Sequence, residues 1–336
     1  MINQLITLAT NRIYSMPVLV LMPHSRCNCR CVMCDIWKSN HDKKEISPEV
    51  LQRHIEAFRK LRVKRVALSG GEALMHTNLW NLCAQLHAIG VKISLLSTGI
   101  LLETHASEII HHCDDVIVSL DGSREVHNAI RNIPSAFEKL EQGVNALKGM
   151  DKTFPVTGRC VLQKLNFRDL LNIVPTSWQL GLDQISFLAA DVSSTAFKHG
   201  EGWKDEKAGG IALTSDEADE FEEIIRQSFL DFKDEYRHQF IAESPEKMLG
   251  LAQYYRAING KASFPTQKCN APWVSAVIES NGDVMPCFFH KPYGNISEGS
   301  FEEIINSAKA VSFRKKLDVK KDETCKKCVC SLYLRL

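Results

Sequence analysis

Most of the twelve cysteines in this chain fall into two groups, and the grouping says more than the number. Cys27, Cys29, Cys31 and Cys34 share one short stretch, and Cys269, Cys287, Cys325, Cys328 and Cys330 lie toward the other end. Three residues separate Cys27 from Cys31 and two separate Cys31 from Cys34. Thiolates at that spacing can hold three irons of a cubane and leave the fourth open to an outside ligand. With Cys29 as a fourth ligand, the same stretch could instead close a tetrahedral zinc site. Cys83, Cys113 and Cys160 lie in periodic segments and read as small buried hydrophobes.

The elements that must position these thiols follow from the hydrophobic pattern. Short β-branched runs at residues 18–22, 65–69, 92–97, 116–120, 156–163 and 184–188 alternate with amphipathic stretches. Ser47-Pro48 opens one helix, Thr77 can cap the next and Gly90 end it, and Asn166 and Gly181 bracket another. Strand and helix alternating in this way predict parallel βαβ units with functional loops at the C-terminal strand ends. The fold class expected is α/β, a partial six-fold (β/α) TIM-like barrel with a small C-terminal appendage. The expected division is a barrel at 1–190, a helical insert at 191–262 and the appendage at 263–336. Residues 191–210 read as a mobile loop, and helices are expected at 215–239, 245–258 and 301–317. Asn281-Gly282 between two apolar runs predicts a hairpin.

Bulk composition excludes several classes. The chain is 44% hydrophobic and 24% charged with a net charge of +1, which offers no electrostatic case for nucleic acid or a membrane surface. Apolar stretches such as 16–22 are too short to span a bilayer, and residues 1–17 lack an apolar signal core, so a cytoplasmic location is expected. Cysteines in that compartment point to metal or redox chemistry rather than disulfides.

The cysteine loop resembles that of the radical S-adenosylmethionine (SAM) superfamily, in which three cysteines ligate a 4Fe-4S cluster with SAM on the open iron. Ser69-Gly70-Gly71-Glu72 ends the second strand, where that family places a Gly-Gly-Glu motif for the SAM amino group. Ser97-Thr98-Gly99 stands where relatives carry Thr-Asn-Gly, so Thr98 departs from the common form. Met33 departs too, from a usual aromatic. Ser119-Leu120-Asp121-Gly122, followed by His127 and Arg131, is similar to another family stretch, which implies that Ser119 and Arg131 hold the SAM carboxylate. The C-terminal cysteines resemble the family's SPASM or shorter twitch extension. That implies an auxiliary 4Fe-4S cluster on Cys269, Cys287, Cys325 and Cys328, with Cys330 able to replace Cys328. A zinc ribbon is the alternative there.

By this resemblance the chain is an iron-sulfur oxidoreductase-type enzyme that cleaves SAM and abstracts a hydrogen atom from its substrate. It would draw electrons from a donor such as flavodoxin or ferredoxin. The short chain favours a small-molecule substrate, a sugar, aminoglycoside or similar metabolite, to be oxidised, epimerised or rearranged. The alternative is a maturase acting on a ribosomal peptide, although the 26 residues before Cys27 are too few for the leader-binding domain many such enzymes carry. Sulfatase maturation fits less well, since Phe288 rather than an acid follows Cys287, and the SAM-contact residues argue against a non-enzymatic sensor.

Overall fold

Six β-branched segments form parallel strands, β1 (Val18–Leu21), β2 (Arg65–Leu68), β3 (Lys92–Ser97), β4 (Asp115–Ser119), β5 (Val156–Leu162) and β6 (Gln184–Ala189). Three shorter ones follow, β7 (Ser275–Ile278), β8 (Asp283–Met285) and β9 (Gly294–Asn295). The computed structural model describes residues 2–198, 203 and 205–335. All nine strands make one sheet in the order β6-β5-β4-β3-β2-β1-β7-β8-β9. The expected partial barrel is present, and the C-terminal hairpin extends it: β7 pairs in parallel with β1, Val18 opposite Ser275.

Alternation along the strands explains why the barrel has an open interior. Val116, Val118, Val156, Cys160, Leu162, Ile185 and Phe187 are fully buried. Their neighbours Ile117, Ser119, Thr157, Arg159, Val161, Ser186 and Leu188 are only half-buried. Since successive side chains take opposite faces of a strand, one set packs under the helices and the other lines a space that no side chain among the described residues fills. Cys83 and Cys113 join Cys160 in the buried core, as expected of small hydrophobes.

Several local expectations change under tertiary contacts. Ser47 does cap Pro48–Gln52, accepting from Val50 N at 3.3 Å. Thr77 does not cap the next helix: Asn78 takes that position, while Thr77 N and Oγ1 both donate to Glu45. Asn166 clamps two strands, its Nδ2 donating to Asp121 O at 2.8 Å and Val161 O at 3.0 Å. The helix expected at 301–317 is two, Phe301–Ile305 and Ala308–Lys316, because Asn306 turns aside to bond Ile13 through both its amide atoms. The segment 215–239 likewise divides into Ser215–Asp231 and Lys233–Arg237. Residues 191–210, expected as a loop, include most of a helix at Asp205–Ile211; residues 199–202 and 204 lie outside the described residues. An N-terminal helix, Ile2–Thr10, was not anticipated. No helix among the described residues is long and apolar enough to cross a membrane.

Candidate functional site

The loop bearing Cys27, Cys31 and Cys34 leaves the C-terminal end of β1 and is fastened on three sides. Cys27 N donates to Asn40 Oδ1 at 3.0 Å, and Asn40 Nδ2 returns a bond to the Cys27 carbonyl at 2.8 Å. Arg30 N and Val32 N donate to the carbonyls of Arg131 and Ile130, both at 3.1 Å, tying the loop to the end of helix Arg124–Arg131. Beneath it, Glu72 N donates to Arg26 O at 2.9 Å.

The glycine pair makes that last contact possible. A Cβ on Gly71 would stand 2.1 Å from Arg26 O, and Gly70 has φ +105° against Met22. Gly71 therefore admits the backbone of the cysteine loop itself, a role beyond the ligand contact that the family pattern implies. Glu72 is fully buried and accepts from Thr98 N at 2.8 Å, Thr98 Oγ1 at 2.7 Å and Ser97 Oγ at 3.1 Å. Burial pushes its carboxyl above the ordinary range, against the pull of the Thr98 bonds. Thr98 Oγ1 also lies 2.9 Å from Asn28 Oδ1, so the departure from the family form links the end of β3 to the cysteine loop.

Arg131 has partners within the protein, while its Nε is buried without one among the described residues. Its guanidinium pairs with the buried Asp121 carboxylate and donates to Cys31 Sγ at 3.4 Å. Hydrogen bonding from Cys29, with Arg131 close by, brings the Cys31 thiol down to about 6. Burial pushes Cys27 and Cys34 up to about 12. Ser119 ends β4, half-buried, and is paired in register with Arg159 of β5.

A cavity of about 510 Å³ opens at this end of the barrel. Its walls include Met33, Cys34, Gly70 and Gly71 from the N-terminal side and Phe288, Phe289 and Cys330 from the C-terminal side. Phe197 closes over it, its ring 6.3 Å from those of Phe288 and Phe289. Asp35, at the end of the cysteine loop, donates its N to Phe197 O at 3.2 Å, and its carboxylate accepts from Trp203 Nε1 at 2.7 Å and from Lys207 Nζ.

The second cysteine group encloses a small cavity of its own, bordered by all five thiols and His290. Asn270 assembles it: its backbone N donates to Leu332 O at 2.9 Å, and its side chain exchanges bonds with Leu334 N and O at 3.0 and 2.8 Å. The chain end is thereby folded back onto Cys269. His290 Nε2 lies 3.4 Å from Cys325 Sγ, and with Asp322 these make a group of potential metal donors that spacing alone did not reveal. Burial raises the Cys287 thiol to about 11 and pushes Cys325 and Cys328 higher.

Residues 21–174 match the Radical SAM superfamily, and residues 269–329 match SPASM, an iron-sulfur cluster-binding domain. The chain belongs to the radical SAM superfamily. Its family implies SAM and a 4Fe-4S cluster at the first cysteine group and an auxiliary iron-sulfur cluster at the second. The donors present suit both. Within and just after the cysteine loop, Asn28 Nδ2 and Trp37 Nε1 are buried donors with no hydrogen-bond partner among the described residues, available to an acceptor such as cluster sulfur. At the SPASM thiols, Ala271 N donates to Cys269 Sγ at 3.5 Å and Cys330 N to Cys328 Sγ at 3.3 Å, contacts that favour thiolate.

Mycofactocin maturase MftC of Mycobacterium ulcerans is 34% identical over 112 residues, 32% of this chain and 30% of that protein. The antilisterial bacteriocin subtilosin biosynthesis protein AlbA of Bacillus subtilis is 22% identical over 84% of this chain and 58% of its own length. An AdoMet-dependent heme synthase of Oleidesulfovibrio alaskensis is 24% identical over 83% of this chain and 71% of its own. The match thus spans about a third of the mycofactocin relative and under two thirds of AlbA. Streptococcus suis SuiB, solved with the precursor peptide SuiA, superposes with a TM-score of 0.68 at 14% identity, covering 98% of this chain and 74% of that one, a likeness of fold.

Proposed function

We propose that this radical SAM chain modifies a peptide at the open end of its barrel. The observation that carries the reading is the single cavity walled by both Cys34 and Cys330, which opens the two cysteine groups onto one reaction space. The names of two curated relatives, a maturase and a bacteriocin biosynthesis protein, support a peptide more than the sugar or aminoglycoside expected from chain length. A small-molecule reading keeps support from relatives such as the heme synthase, which is matched over most of both lengths.

When bound, the N-terminal cluster and SAM supply a deoxyadenosyl radical that removes a hydrogen atom from a C–H bond, and an auxiliary cluster can accept the electron left behind. Cys27, Cys31 and Cys34 would hold the first cluster, and Cys269, Cys287, Cys325 and Cys328 the second. Gly70, Gly71, Glu72, Thr98 and Ser119 would border SAM. Arg131, held between Asp121 and Cys31, would steady the Cys31 thiolate rather than touch SAM. Phe197, Phe288 and Phe289 would keep water from the reacting carbon. A flavodoxin or ferredoxin would deliver the reducing electron.

The test is anaerobic incubation of reconstituted protein with SAM, dithionite and any short peptide found encoded beside its gene, followed by mass spectrometry. A changed peptide mass, with deoxyadenosine released in step, is expected. Deoxyadenosine released in step with a porphyrin or sugar, and with no peptide, would overturn the peptide reading.

A further inference from the structure

The thiols of the SPASM group are served mostly by backbone donors. Among the described residues these are the N–H groups of Ala271 to Cys269, of Cys330 to Cys328, and of Phe289 and His290 to Cys287. His290 adds a side-chain contact, its Nε2 lying 3.4 Å from Cys325 Sγ. One residue thus joins thiols from two separated segments, Cys287 through its backbone and Cys325 through its ring. The ring is fixed in place, for its side chain is 11% exposed and packs edge-on to Phe313 with 5.0 Å between centroids.

Asp322 decides which ring nitrogen carries a proton. As the cap of helix Glu323–Lys326 it accepts from Cys325 N at 2.9 Å, and this sets its Oδ1 3.7 Å from the same His290 Nε2. Once Cys325 is a thiolate, as a cluster ligand must be, Nε2 faces two anions. A bare lone pair there would be repelled by both, whereas an N–H is attracted by both. The N-terminal group has a counterpart, since Arg131 stands between Asp121 and Cys31. We propose that His290 Nε2–H donates to the Cys325 thiolate of the auxiliary cluster and thereby raises the reduction potential of that cluster. Reduction adds negative charge that is shared with the ligand sulfurs, so a donor to one of them stabilises the reduced state more than the oxidised one. His290 is therefore a positioning residue acting through Cys325, in the wall that the SPASM group presents to the 510 Å³ cavity. The proposal goes beyond the peptide reading, holds for any substrate, and rests on Cys325 being a cluster ligand.

The test is an EPR-monitored redox titration of the reconstituted full-length chain with Cys27, Cys31 and Cys34 replaced by Ala, which leaves the SPASM cluster alone to titrate. His290→Phe keeps an aromatic ring and removes the donor. It should lower the potential by about 59 mV, an about tenfold loss in the reduction equilibrium of a one-electron couple. His290→Gln, whose amide can still donate, should recover part of that shift. Protein with its N-terminal cysteines intact should show the same displacement in the wave that added SAM leaves unmoved. Pulsed EPR with isotopically labelled histidine needs no substitution at His290, and should find a weak nitrogen coupling passed through the N–H···S contact. Equal potentials in the three forms at equal iron content, or no nitrogen coupling, overturn the proposal. So does the strong coupling of a nitrogen bonded to iron, which would make His290 a ligand. Wild-type protein with no cluster at the SPASM group would sink the assignment of Cys325 and this proposal with it, while the peptide reading would still stand or fall by its own assay.

Discussion

The two cysteine groups border one cavity yet are built by opposite means. Cys27, Cys31 and Cys34 come from a single loop whose shape is held by backbone bonds to Arg131, Ile130 and Glu72. Cys269, Cys287 and the group at Cys325, Cys328 and Cys330 come from three separated segments, gathered when Asn270 ties down the chain end. In the first group, spacing along the chain sets the ligand geometry, and the fold has only to support it. In the second the ligands meet only after folding, so metal ligation and folding draw on the same free energy. A loop with three thiols leaves an iron open, whereas a gathered set can close every iron.

The largest effect should come from removing the first group. Replacing Cys27, Cys31 and Cys34 together by Ala should abolish deoxyadenosine formation and reduce bound iron from about eight to about four atoms. If both groups were equivalent, either deletion would do this, and iron counting with chromatography of the SAM products distinguishes the cases. Next, Cys325→Ala should retain reductive SAM cleavage while losing the modified product, with circular dichroism confirming that the variant has folded. Turnover at the wild-type rate would show the SPASM group to be structural alone.

Arg131→Ala sharpens the comparison from the side of stability. It strips the buried Asp121 of its partner, a change that costs about 3 to 5 kcal/mol when one member of a buried pair is removed. The denaturation midpoint should fall and iron be lost from the N-terminal loop first. An unchanged midpoint with weakened SAM affinity would return Arg131 to the ligand-binding role implied by the family pattern. The smallest effect is expected from Asn270→Ala, which deletes two side-chain bonds to Leu334 at about 1 kcal/mol each. A chelator should then remove iron faster from the SPASM group and at the wild-type rate from the loop. Equal acceleration at both would mean that the groups are not independently built.

Legibility in the sequence followed the same division. The cysteine loop and the strands could be read because each depends on spacing within a few residues, and the β-branched runs predicted β1 to β6 to within a residue or two. The roles of single side chains were harder to read. Thr77 looked like a helix cap until Glu45, distant in sequence, claimed both its donors. The family pattern gives Arg131 only a ligand, whereas the fold also brings the Asp121 carboxylate against it. Asn270 and His290 gave no signal, since their partners lie 64 and 35 residues away.

By itself the sequence determined the superfamily, the alternating α/β pattern and the three-thiol loop, all properties of short-range order. Only the tertiary structure decided that the C-terminal hairpin extends the barrel sheet through β1, and that Cys34 and Cys330 face one cavity. It alone showed that Arg131 pairs with Asp121 and donates to Cys31. The physical reason is that a side chain's availability depends on which charges and donors surround it, and distant segments supply those only once the chain has closed on itself.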